Sequence, residues 1–87
     1  MESVRKAEIL AYLCRVPDAC ARDVADELGL SLPAAGMRLL RLARAGLATR
    51  TFDRLQGCYF HAISPKGRAR LQFLREELSD ASTDQRT

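Results

Sequence analysis

With 87 residues the chain has room for one small domain, whose core can bury only about 60–65% of the surface that the unfolded form exposes, so two domains are excluded. Apolar residues make up 47% and charged residues 29%, and no apolar run approaches the roughly 20 residues of a membrane-spanning helix, which predicts a soluble folded chain. The net charge of +3 hides a segregation: between Gly36 and Gln72 stand eight basic residues (Arg38, Arg41, Arg44, Arg50, Arg54, Lys66, Arg68, Arg70) against Asp53 alone, a local balance of +7 that leaves −4 elsewhere. Clustered Arg and Lys displace counterions from phosphates, so a polyanion-facing surface is expected, with a solvated basic face as the competing reading. The run Met1-Glu2-Ser3-Val4-Arg5-Lys6 lacks the apolar stretch and small-residue cleavage pattern of a secretory leader, so a cytoplasmic protein with reduced cysteines is expected.

From Ser3 to Arg15, Ala7, Leu10, Ala11, Tyr12 and Leu13 recur at helical spacing, and Pro17-Asp18 stops the helix they predict. Residues 21–29 form a second, short helix, with Val24, Ala25 and Leu28 on its apolar side and Gly29 where a left-handed terminal residue sits. Ser31 offers an N-cap hydroxyl and Pro33 a harmless missing amide to a third helix over 32–46, with Ala35, Leu39 and Leu42 inward. The β-prone stretches 47–52 and 58–63 read as a hairpin around a five-residue loop, Asp53 to Gly57. Ser64-Pro65 opens a fourth helix over 65–79, striped by Leu71, Leu74 and Leu78, and 80–87 reads as a flexible tail outside the domain of residues 1–79.

The order is helix, a short strand near Cys20, helix, Gly-Leu-Ser turn, helix, hairpin, helix. This is a mainly helical α+β arrangement with a small β-hairpin, the plan of a winged helix-turn-helix. The segments Gly29-Leu30-Ser31 through Arg41-Leu42-Ala43-Arg44-Ala45-Gly46-Leu47 resemble the recognition-helix region of MarR-type winged-helix regulators and their archaeal relatives. Pro17 through Ala25 and Ile63-Ser64-Pro65-Lys66-Gly67-Arg68 are similar to that family's entry into its second helix and its wing end, so the likeness covers residues 4 to about 75.

The resemblance implies binding of double-stranded DNA in transcription regulation, with the third helix in the major groove, the wing alongside and no catalysis. Ser31, Pro33, Ala34 and Met37 then lie near DNA at the start of that helix. Arg38 and Arg41, neighbours on one helical face, are expected to meet guanine edges or phosphates, and Arg44 the backbone. Arg50 leads to the wing tip, the resemblance assigns Arg54 to the minor groove, and Lys66 is expected near phosphates. The outward face departs from the family pattern, because only arginines on it can read base edges. Met37 and Leu40 are as well suited to a partner protein, the competing function being a protein-interaction module. A homodimer is expected, with Leu71, Phe73, Leu74 and Leu78 at its interface.

No phosphate-cradling motif occurs, and a single histidine, His61, excludes a histidine pair; a partly buried structural role is expected for it. No metal or other cofactor is expected. Cys14 reads as a small hydrophobe on the first helix, while Cys20 has the placement to approach Cys58 and His61 if its segment pairs with the second hairpin strand. Separate core thiols are the leading expectation, with a disulfide or a zinc site as alternatives.

Overall fold

A computed structural model describes the backbone of residues 2–86 and the side chains of residues 5–77. Helix α1 (Glu2–Arg15) presents Ile9, Leu10 and Leu13 to the interior, where each is at most 1% exposed. Pro17 halts it, and Asp18 takes the left-handed φ of 55° that turns the chain back. The short strand expected near Cys20 shrinks to one antiparallel bridge, in which Ala19 and His61 exchange amide-to-carbonyl bonds of 2.9 and 2.7 Å.

Helix α2 (Ala21–Leu28) begins where the Cys20 amide donates to Asp23 Oδ2 at 3.1 Å. It ends at Gly29, whose φ of 66° is the left-handed terminus that glycine adopts without steric cost. Helix α3 (Leu32–Arg44) starts at Ser31, whose Oγ accepts the Ala34 amide at 3.2 Å. It stops two residues before the expected end, because Ala45 and Gly46 fold into the closing turn, their amides donating to Arg41 and Ala43 carbonyls.

Strands β1 (Ala48–Asp53) and β2 (Cys58–Ile63) pair antiparallel, from Ala48 opposite Ile63 to Asp53 opposite Cys58. The first strand is thus shifted by one from 47–52. Leu47 drops into the core instead, and Asp53 closes the turn by accepting the Gly57 amide at 2.8 Å. Helix α4 (Pro65–Arg86) continues past the expected end at 79 and through most of the segment expected to be a flexible tail, there being no Gly or Pro after Gly67 to end it.

One core joins these elements: Ile9, Leu10 and Leu13 of α1, Val24 and Ala25 of α2, Ala35, Leu39 and Leu42 of α3, and Leu71 and Leu74 of α4, with Ala19, Leu47 and Ala48 filling between. The small residues Ala25 and Ala35 let α2 and α3 approach closely. The two feet of the hairpin are fastened by Ser64. Its hydroxyl donates to the Gly46 carbonyl at 2.6 Å and accepts the Gly67 amide at 3.0 Å, while its own amide donates to the Leu47 carbonyl at 3.1 Å. These bonds set the angle at which the hairpin leaves α3. No helix among the described residues is long and apolar enough to cross a membrane.

Candidate nucleic-acid interface

Burial of Ala35, Leu39 and Leu42 turns the opposite face of α3 outward, and there Pro33, Met37, Arg41 and Arg44 are exposed together with Ser31 and Leu32. Ala34, Arg38 and Leu40, expected on the outward face, are half-buried, as is Gly36. Arg38 lies toward α1, where with Lys6, Ile9 and Arg41 it lines a small cavity of about 50 Å³. With Leu40 half-buried, the apolar part of the outward face is Leu32 and Met37, about half exposed at 49% and 50%.

Beside α3 the hairpin forms the second wall of a groove of about 590 Å³, whose lining includes Arg22 of α2, Leu32 and Gly36 of α3, and Arg50, Tyr59 and His61 of the hairpin. The Arg50 guanidinium stacks 3.6 Å above the centre of the Tyr59 ring, and the Phe52 ring meets Tyr59 edge-on at 5.0 Å. Cation–π contact orients a long, flexible side chain without neutralising it, so Arg50 keeps its charge for an outside anion. Sequence reasoning missed this role of Tyr59. The signal lay in the register, since Phe52 faces Tyr59 directly and Arg50 sits diagonally across.

Arg54 is exposed in the turn. Its neighbour Asp53 is engaged elsewhere, Oδ1 accepting the Leu55 amide at 2.9 Å, an Asx-type bond that shapes the loop. Ion pairs join Arg5 to Glu8 and Arg15 to Glu27, and neither draws on Arg41, Arg44, Arg50 or Arg54. Lys66 is turned to a structural use, its Nζ donating to the Ala45 carbonyl at 3.0 Å. The last carbonyls of a helix lack internal partners and carry partial negative charge, which draws in the ammonium.

His61 is buried in the groove floor, with Nδ1 3.2 Å from the Ala19 carbonyl. Burial lowers its pKa; the bond to Ala19 opposes that shift and nearby Arg50 adds to it. Cys14 is exposed rather than a core thiol, because its position on α1 faces α4, where Arg68 Nη1 donates to its sulfur at 3.2 Å. It therefore stands apart from Cys20, Cys58 and His61, and the three thiols and imidazole weighed as a zinc site do not converge.

Of the residues expected at a dimer interface, Leu71 and Leu74 are 3% and 5% exposed and serve the core of the single chain, closing it against α1. Phe73 is 57% exposed and faces outward, and the Leu78 side chain lies outside the described residues.

Solved structures share this architecture, three of them as follows. The transcriptional regulator BldR from Sulfolobus solfataricus superposes with a TM-score of 0.81 at 20% identity, covering 94% of this chain and 59% of that one. A MarR-family regulator from Rhodococcus sp. RHA1 gives 0.77 at 24% identity, over 91% of this chain and 56% of the other. FabT of Streptococcus pneumoniae, crystallised in complex with DNA, gives 0.74 at 19% identity, over 94% and 57%. At these identities the likeness is one of fold, and the chain spans less than two thirds of each neighbour. None of the curated proteins matches it. A family profile, winged helix-turn-helix DNA-binding, matches residues 5–49, which run from α1 to the start of the hairpin. That match takes in more than half of the sequence, and the chain belongs to the winged helix-turn-helix DNA-binding family.

Proposed function

We propose that this protein binds double-stranded DNA as a cytoplasmic homodimer in transcription regulation and catalyses no reaction, with the exposed face of α3 in the major groove and the hairpin on the minor groove or backbone. The observation that carries the reading is the set of exposed arginines on the two elements that flank the groove: Arg41 and Arg44 on α3, Arg50 and Arg54 on the hairpin, with Arg50 in the groove lining. Membership of a DNA-binding family supports it, as does the likeness in fold to a protein crystallised in complex with DNA.

Arg41 is the side chain of α3 best placed to reach a base edge. Arg44 and Arg50 meet phosphates, Arg54 reaches the minor groove, and Ser31, Pro33, Ala34 and Met37 sit against the groove wall. Arg38, at the flank of α3, meets the backbone, and Lys66 stands one step behind it, fixing the end of the helix. Phe73 is the outward aromatic anchor of the dimer.

Fluorescence anisotropy with a mixed-sequence duplex across a salt series tests this. Binding at low salt is expected, with a steep loss as salt rises. Arg41→Ala/Arg44→Ala lowers the magnitude of the log–log slope by about one for each phosphate contact removed. Absence of binding at low salt overturns the reading in favour of a protein-interaction module using the exposed Leu32 and Met37, the side chains that favour that alternative.

A further inference from the structure

Cys20 and Cys58 come from distant parts of the chain, and backbone pairing brings them together. The Ala19–His61 bridge places Cys20 opposite Phe60, and Cys58, two residues before Phe60, lies on the same side of the strand. Both thiols are half-buried and both line the groove, which gives small solutes access to them. The Cys20 thiol also donates to Asp23 Oδ2 at 3.3 Å, which holds the sulfur at the start of α2. Burial, together with the neighbouring Cys20, Asp53 and Asp23, pushes the Cys58 thiol up and keeps it protonated.

We propose that Cys20 and Cys58 are a hydroperoxide-oxidised thiol pair whose disulfide ties the start of α2 to the hairpin. Cys20 is the attacking thiol and Cys58 the resolving one. The Cys20 sulfur attacks the terminal peroxide oxygen, its proton passing to the departing oxygen. The O–O bond breaks, and the leaving alkoxide takes that proton to become an alcohol, or water from hydrogen peroxide, leaving a sulfenic acid on Cys20. Cys58 then attacks the sulfenic sulfur; the S–S bond forms, the S–O bond breaks, and the hydroxide departs with the Cys58 proton as water. Two thiols are oxidised and one peroxide is reduced. A dithiol reductant reverses the link. This chemistry goes beyond DNA binding and does not depend on it.

The full chain treated with hydrogen peroxide tests the inference. Of its three thiols one remains titratable, the monomer mass falls by about 2 Da, peptide mapping joins Cys20 to Cys58 within one chain, and dithiothreitol restores all three. Cys14→Ser keeps the crosslink, whereas Cys20→Ser and Cys58→Ser each abolish it, circular dichroism reporting whether each variant is folded. Backbone amides of residues 53–58 exchange more slowly in the oxidised form. A link through Cys14, crosslinks only between chains, oxygen addition without a link, or unchanged exchange in the linked form would overturn the proposal; the wild-type mapping decides even if a variant fails to fold.

Discussion

The Ala19 carbonyl accepts both the main-chain amide and, with the proton on Nδ1, the ring of His61, and that double use holds the imidazole in the groove floor. Because burial lowers the pKa of the ring, the folded state refuses a proton that the unfolded chain takes up near the ordinary value of 6.5. Stability from this residue is therefore complete above that value and declines as the pH falls toward the lowered pKa. Urea denaturation between about pH 7 and pH 5 is expected to show falling stability, with a shallower decline in His61→Gln. Gly67 is constrained by space rather than by φ: a Cβ there would run into the Leu47 carbonyl oxygen and lie 2.8 Å from Ile63 Cγ1. Gly67→Ala is expected to cost about 1–3 kcal/mol in the same measurement, since the obstacle is backbone that cannot swing aside. The arginines were legible from sequence as a cluster, but their individual uses were not. Charge alone does not distinguish Arg50 above an aromatic ring from Lys66 bound to a helix end, for each partner lies across a fold contact.

Among the elements, α3 was the most readable, because its start is written in local chemistry. Ser31 and Pro33 mark a first turn whose hydrogen bond forms within three residues. Ser31→Ala removes that bond and is expected to lower stability by about 1 kcal/mol, measured by thermal or urea unfolding. The inner stripe Ala35, Leu39 and Leu42 was equally plain, since period and apolarity agree. The edges of the outward face were not, because a flank such as Arg38 or Leu40 is half-covered only by what α1 and the neighbouring elements bring to it. The hairpin register carried the same limit: its strands were found from composition, yet the shift of β1 by one residue depended on Leu47 entering the core. Helix α4 ran longer than its pattern suggested, as the apolar stripe reports burial and a helix can continue without it.

Across the whole molecule, the basic region between Gly36 and Gln72 divides between exposed arginines on α3 and the hairpin and side chains spent on internal bonds, Lys66 to the end of α3 and Arg68 to Cys14 of α1. Leu71 and Leu74 show why a dimer surface is hard to read from one sequence: an apolar stripe on a last helix has the same spacing whether it meets its own core or another chain. Phe73 is the described member of that group left outward, so Phe73→Ser is expected to weaken self-association at least about tenfold while leaving the fold intact, checked by analytical ultracentrifugation over a dilution series.

The Ser64 junction has a further consequence for the hairpin it anchors. With both feet fixed by bonds to Gly46, Leu47 and Gly67, the excursion between them is a closed loop whose far end, around the 98% exposed Leu55, makes little contact with the core. Loop-closure entropy grows only with the logarithm of length, so even doubling such an excursion costs only about 0.6 kcal/mol beyond the existing closure. Residues inserted between Leu55 and Gln56 should lengthen the reach of the tip while the unfolding midpoint scarcely moves. Reach and stability are thereby separable in this chain: one is set at the tip, the other at the knot beneath it.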